Sequence, residues 1–345
     1  MKTALTLFIV ACQSVVALAQ DGDKKPYLTK SLANDAISSV VVSTSAGGIY
    51  VNGEQGESPR IEVYIRGNNN RELSKEEIEK KLADDYDMNI AVNGHELTAT
   101  VKQKKKLNFN WNNSMSISFK IYVPQQVNTN LHTSGGGIDL NDLKGTETFS
   151  TSGGGLHINK LVGTVHGRTS GGGIDVSNSS EDIDLSTSGG GIKAENCKGK
   201  IRLITSGGGL ELNNLSGNIV AHTSGGGVNG HDIEGELVTG TSGGGIDLKN
   251  MSCSLEAKTS GGSLNADMKQ LGSYLRLVAT SGNIDVNLPS KKGLNLTVRG
   301  ESVHPSKIEG FSGDWSEHRI NGSVNGGGIP VEASASSGDV NIRFN

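Results

Sequence analysis

One phrase, Thr-Ser-Gly-Gly followed by Gly or Ser and then an aliphatic residue, begins at Thr133, Thr151, Thr169, Thr187, Thr205, Thr223, Thr241 and Thr259. Each copy starts 18 residues after the last, and a looser ninth starts at Thr280 after 21. A fixed short period means stacked units, because one such unit cannot bury its apolar side alone. Numbering the repeat from its threonine, position 6 is always aliphatic (Ile138, Leu156, Ile174, Ile192, Leu210, Val228, Ile246, Leu264) and position 8 is apolar or small. Position 7 between them is polar in every copy. That alternation predicts a strand with positions 6 and 8 inward. Position 15 reads Val165, Ile183, Ile201, Ile219, Leu237 and Leu255 in six successive copies, and position 17 is Phe149, Leu185, Leu203 or smaller. A second strand follows, and its phase carries the position-1 threonine inward. Position 11 supplies another apolar point, at Leu143, Leu161, Leu215, Ile233 and Met251. Position 13 is glycine in five copies, a turn signal.

The expected fold is therefore all-β: a single-stranded parallel β-helix, or β-solenoid, of 18-residue coils with two short strands and two corners each. Right-handed winding is expected from the strong preference of parallel crossovers. At about 4.8 Å per coil, eight coils make a rod of roughly 38 Å. The triple glycine is a tight corner where positive φ or close contact between coils excludes a Cβ. Three other 18-residue solenoids fit less well. A left-handed triangular helix would repeat its aliphatic residue every six positions. A calcium roll needs Gly-Gly-x-Gly-x-Asp in both halves of the unit, and here position 7 is Asp139, Asp175 and Asp247 but His157, Lys193 or Asn229 elsewhere. An ice-binding face needs a uniform outward Thr array, whereas positions 14, 16 and 18 include Arg202, Asp184, Lys258 and Arg168.

The domain layout follows from changes of texture. Residues 1–20 read as a signal peptide: Lys2, an apolar run, and Ala17-Leu18-Ala19 before a cleavage point after Ala19 or Gln20. Ile9-Val10-Ala11-Cys12 also resembles a lipoprotein box, with Cys12 as the lipid carrier. Either way the chain is expected to cross the inner membrane and to be periplasmic, surface-bound or secreted. Residues 21–130 read as an N-terminal cap with the first coils, containing Thr44-Ser45-Ala46-Gly47-Gly48-Ile49 and one helix. Ser74 and Glu77 form a capping box there, with Leu73 and Ile78 at the staple positions. Residues 131–289 are the regular array, and residues 290–345 the C-terminal coils and cap. Loss of Lys2 moves the formal charge from −4 to −5, which argues against a nucleic-acid partner.

The Ser45-Ala46-Gly47-Gly48-Ile49-Tyr50-Val51 phrase, the strand ending Tyr122-Val123-Pro124 and the repeated Thr-Ser-Gly-Gly-Gly-Ile stand together with Asn283–Pro289 and the closing Ser336–Ile342. In these the chain resembles the putative-adhesin family of bacterial β-strand-repeat envelope proteins, long catalogued as a domain of unknown function. The resemblance covers nearly all of the mature chain. It implies an extended surface that binds an envelope or surface ligand, protein or polysaccharide, or self-associates through solenoid ends or edges. It supplies no catalytic motif.

Candidate sites are few. Asp139, His157 and Asp175 stack at position 7, but Lys193 continues the column, so a solvated charge ladder is expected rather than a metal site. His166 beside Asp184 is read the same way. A small site around Trp111 with Lys102, Lys104, Lys105 and Lys106 is a further candidate. Neither a Gly-x-Ser-x-Gly elbow nor a phosphate loop occurs. No catalytic residue, metal ligand or cofactor is assigned. Aromatic residues make up only 4% of the chain, against a sugar-stacking groove along the array. The alternative class is a carbohydrate-active enzyme on the same scaffold. Any concave site is expected in the irregular stretches 66–115 or 299–325. Cys197 and Cys253 lie three coils apart, about 14 Å, too far for a disulfide.

Overall fold

The computed structural model describes residues 25–53, 56–68, 71–104, 114–306 and 309–345. The signal segment, Cys12, Lys105, Lys106 and Trp111 lie outside them. The described chain is a parallel β-solenoid with 18-residue coils. Each array coil carries a short strand, such as Ile174–Ser177, and a long one, such as Ser180–Thr187. Both pair in parallel with their equivalents one repeat away: Ile174 faces Leu156 and Ile192, and Ile183 faces Val165 and Ile201. Columns 1, 6, 8, 11, 15 and 17 point inward as the alternation requires, and their aliphatic members are all but sealed from solvent. Like side chains stacked on like side chains make a continuous apolar core.

The corners show what the repeat phrase is for. In the eight regular copies, Thr133 to Thr259, the position-1 threonine is buried and donates its hydroxyl hydrogen bond to the position-4 glycine carbonyl of the preceding coil: Thr187 to Gly172 and Thr205 to Gly190, both at 2.7 Å. Buried hydroxyls are thereby satisfied, and coil is tied to coil. A Cβ at Gly172 would lie 2.1 Å from the Gly154 carbonyl oxygen, whereas at Gly171 the nearest atom would be 3.4 Å away. Close approach of coils, rather than positive φ, requires the middle glycine.

The expectation of two corners per coil misses a third bend. Position 10 (Asp142, Lys160, Asn178, Asn196, Asn214, Asp232 and Asn250) sits in the left-handed region at φ between 51° and 57°. Asn and Asp tolerate that region best among residues with a side chain. Their amides also stack: Asn214 donates to Asn196 at 2.7 Å. The second strand is long rather than short, and position 13 kinks it, with Gly163, Gly199 and Gly217 at φ 126°, 116° and 119°. The looser ninth copy is shifted: Ala279, not Thr280, faces Thr259, and Ile284 faces Leu264, an interval of 20 residues (279 − 259) taken up by bulges in the strand Leu264–Ser281.

The ends depart from chain order. β1 (Leu28–Ser31), β2 (Ser39–Thr44), β3 (Ile49–Asn52) and β4 (Arg60–Gly67) are followed by α1 (Lys75–Asp85), β5 (Tyr86–Asn93), β6 (Glu96–Gln103) and β7 (Met115–Tyr122). β8 (Asn128–Thr133) and β9 (Ile138–Asn141) then open the array. The first coil, β2–β3, is sandwiched: β8 and β9 lie on its array side, and β6 and β7 on its outer side, all parallel. Antiparallel β5 and β4 then cover β6 and β7, and β1 covers β4. The C-terminus repeats the device. Ile329–Ser337 and Val340–Phe344 insert between the array and an outer layer formed by Leu294–Arg299 and Val303–Pro305. The hairpin Phe311–Ser316 and Arg319–Val324 closes that layer.

α1 has the expected capping box, with Ser74 Oγ accepting from the Glu77 N–H and the Glu77 carboxylate from the Ser74 N–H. It packs on β5 and buries Ile78, and Tyr86 at its end accepts a hydrogen bond from the Met115 N–H. Cys197 and Cys253 are buried and unbridged. Burial pushes the Cys253 thiol up to about 12.

Candidate functional site

Outward side chains on the short-strand face form rows along the stack. One row reads Glu62, Lys120, Tyr50, Asp139, His157, Asp175, Lys193 and Glu211, each opposite the next in register. Over the array this row is the expected charge ladder. His157 Nδ1 lies 3.2 Å from Asp175 Oδ2 with both side chains 59% exposed, so water screens the pair. Asp184 does not pair with His166; it accepts from Arg202 at 3.1 Å. Among the described residues no group of three or more His, Cys, Asp or Glu side chains is placed to hold a metal.

Toward the N-terminal end the same row enters a groove of about 280 Å³ lined by Gly48–Tyr50, Tyr64, Arg66, Ser118–Lys120 and Asp139. It forms where the antiparallel pair β4–β7 meets the parallel pair β3–β9. Of its lining, only Arg66 comes from the irregular stretches where a concave site was expected. Trp315, in the other stretch, is 54% exposed on the C-terminal hairpin.

The rings of the groove are held by side chains beside it. Glu62 accepts from Arg60 Nε and from the Tyr64 hydroxyl, both at 2.7 Å. Arg60 also donates to Glu57, and its guanidinium lies 3.8 Å from the centre of the Tyr122 ring. Tyr122 meets Tyr50 edge to face at 6.0 Å, and Lys120 Nζ sits 5.2 Å over Tyr64. Cation–π and edge-to-face contacts of this kind fix rings that core packing does not reach. Burial works against the charge of Arg60, but its bonds to Glu62 and Glu57 outweigh it and raise its pKa. Burial raises the Asp139 carboxyl, with His157 opposing.

Three tyrosines of the six in the chain thus gather on one outward face. Single-residue motif searching misses them, because they come from three strands that are far apart in sequence. Their outward phase within alternating strands was the available signal. Lys102 and Lys104 fall elsewhere: Lys104 donates to the Ala83 carbonyl at 2.6 Å and pairs with Asp87.

Fold and groove together define a capped parallel β-solenoid with a tyrosine- and cation-lined recess at its N-terminal end. The chain belongs to the Toastrack family, DUF4097, whose family pattern matches residues 37–343. A comparison with curated proteins finds no match. Among solved structures it is similar to a "putative cell adhesion protein" of Clostridium sporogenes (12% identity, 92% of this chain and 98% of the other, TM-score 0.20). It is similar also to a "putative adhesin" of Bacteroides fragilis (12%, 92% and 96%, TM-score 0.23). A third is a "putative lipid binding protein" of Parabacteroides distasonis (13%, 94% and 98%, TM-score 0.27). Likeness at these TM-scores carries no argument about function.

Proposed function

We propose that this chain is an exported, non-enzymatic, adhesin-like solenoid, in which the array sets reach and rigidity and the N-terminal groove binds. The observation that carries it is the interlocked cluster of Tyr50, Tyr64 and Tyr122 with Arg60 and Lys120, beside a recess that Arg66 also lines. Such a cluster adds little to a core already sealed beneath it, and prearranged polar and aromatic groups are what a ligand site needs. The array supports the scaffold half of the reading. Its outward columns change residue type from coil to coil, forming ladders rather than a dry pocket that could hold an acid, a base and a nucleophile together. Asp139 is the carboxylate lining the groove; Glu62 is engaged by Arg60 and Tyr64.

Export is supported by the sequence of residues 1–20. Among the described residues no helix is long and apolar enough to cross a membrane. Cell fractionation with mass spectrometry of the mature N-terminus tests this half. The expected start lies after Ala19 or Gln20, and an uncleaved cytoplasmic chain overturns it. For the binding half, the mature protein is incubated with envelope and plant polysaccharides, and retention and oligosaccharide release are followed. Retention without release is expected. Turnover abolished by Asp139→Asn would establish the carbohydrate-active enzyme instead.

A further inference from the structure

We infer that the groove takes a saccharide bearing a carboxylate, a uronate-type sugar unit. The inference rests on the binding reading above and narrows it to one ligand chemistry. Three features of the groove lead there. First, the strands beneath it are paired on both sides: β7 lies between β4 and β3, and β3 between β7 and β9. The part of the floor made by β3 and β7 therefore has no free backbone edge, so an extended peptide could not add there as a strand, and recognition falls to side chains.

Second, those side chains suit hydroxyls and ring faces. The phenol groups of Tyr50 and Tyr64, the Ser118 hydroxyl and the Asp139 carboxylate line one small recess. Tyrosine offers an apolar face to the C–H side of a sugar and a hydroxyl at its tip. Asp139 can accept from sugar hydroxyls. The volume of about 280 Å³ fits a sugar unit rather than a folded segment of protein.

Third, one guanidinium of the lining is uncommitted. Arg60 is matched by Glu57 and Glu62 at 2.7 Å. Arg66 lines the recess with no ion-pair partner among the described residues; Lys120 and Asp139 are the other charged groups of the lining. A guanidinium beside a tyrosine-lined recess is the group best shaped to take a carboxylate through two parallel hydrogen bonds.

The test is isothermal titration of the full mature protein with trigalacturonate, with maltotriose as the neutral sugar and hexaglutamate as the non-sugar polyanion. Trigalacturonate should bind at least roughly tenfold more tightly than either control, a difference of about 1.4 kcal/mol. Arg66→Gln should weaken it by about tenfold or more, with an unchanged melting temperature, and raised salt should weaken it too. Tyr50→Phe, which keeps the ring and its edge contact with Tyr122, should have a smaller effect than Tyr50→Ala.

Equal binding of maltotriose would overturn the carboxylate requirement, and equal binding of hexaglutamate would overturn the sugar. Either result leaves the groove as a binding site. Trigalacturonate binding unaffected by Arg66→Gln and by Tyr50→Ala would remove the groove from the inference. No binding by trigalacturonate while other envelope polysaccharides are retained overturns the ligand class alone. If the whole panel fails, the binding reading fails with it.

Discussion

In the array, neighbours in space are neighbours in the repeat: Ile183 sits between Val165 and Ile201, one coil each way. At the two ends this rule is broken in the same manner. The first coil, β2–β3, has later strands on its outer side, and the last coil, Ile329–Ser337 with Val340–Phe344, has earlier strands on its outer side. The array solves one pairing problem and repeats the answer, since equal residues in a column pack equally well on either side. An end must solve a different problem, because a bare coil exposes unpaired strand edges and core. Folding the chain out and back locks the terminal coil between two others. The outermost layers are antiparallel pairs, which can be joined by short connections and need no further coil.

This contrast makes its largest prediction at the C-terminal end. Removing residues 329–345 strips the coil that bridges array and outer layer, leaving Leu294–Arg299 without its parallel partner and Leu264–Ser281 with an open edge. The truncated protein should aggregate or lose its cooperative melting transition. A monomeric product on size exclusion with an unchanged circular-dichroism melt would mean that the end is ornament rather than lock.

Next in size are the glycines of a single array corner. Gly172→Ala places a methyl group 2.1 Å from a backbone carbonyl of the adjacent coil, and should cost about 3 kcal/mol or more. Gly171→Ala, with 3.4 Å of room, should stay within about 1 kcal/mol. Because coils are equivalent, Gly226→Ala should match Gly172→Ala in chemical denaturation; a clear inequality would show that the array is less uniform than its registers.

A third effect comes from the one place where the array's own column is broken. Position 15 is aliphatic from Val165 onward, but Glu147 occupies it in the first copy, fully buried. Glu147 Oε2 accepts from the Thr129 hydroxyl, and Oε1 has no partner. No other charged residue is buried in the core among the described residues. Burial raises this carboxyl to about 7, against roughly 4.3 in an unfolded chain. The folded state therefore keeps a proton that the unfolded state releases. Stability should fall as pH rises from about 4.5 to about 7 and then level off, by up to about 3 kcal/mol. Glu147→Val should remove that slope and be most stabilising at pH 8, and Glu147→Gln should remove the slope while keeping the bond from Thr129. Unchanged pH profiles for both would show that the carboxyl is solvated in solution.

How much of this was legible follows from the same contrast. The inward columns, the capping box at Ser74 and the phrase at Thr44 that opens the first coil could be read from residue types, because period and alternation report burial directly. The third bend was also written in the chain, as an Asn and Asp column at position 10. The apolar columns are the stronger signal, and Lys160 interrupts the series. Glu147 is not legible, because a single polar residue does not disturb a periodic pattern. The nested ends could not be read, since β2–β6 and β3–β7 pairings join segments with no shared period. The groove depends on those pairings. Tyr50, Tyr64 and Tyr122 become neighbours only when β7 lies between β3 and β4.

The smallest effect should come from the largest edit. Deleting residues 187–204 removes one whole coil and sets the coil beginning at Thr169 directly against that beginning at Thr205. In the new contact Ile174 meets Leu210, Val176 meets Leu212, Ile183 meets Ile219 and Leu185 meets Ala221, all apolar on apolar. The threonine bond can re-form, with Thr205 donating to the Gly172 carbonyl as Thr187 does now. Asn178 would stack on Asn214 at the left-handed bend, and both already hold that φ. The mismatches are small: inward, Ser179 would meet Leu215 with its hydroxyl still bonded to the Ser177 carbonyl. Outward, Asp175 would face Glu211 without Lys193, and Asp182 and Asp184 would lose Lys200 and Arg202, exposed pairs each worth a fraction of a kcal/mol. In a stack whose stability is a sum of nearest-neighbour terms, losing one interior coil changes the total little and leaves both ends intact. The deleted protein should stay monomeric, keep its β spectrum and shift its melting temperature by only a few degrees. It should also be shorter by about 4.8 Å in small-angle scattering. Misfolding on this deletion, with the C-terminal truncation tolerated, would reverse the contrast between array and ends.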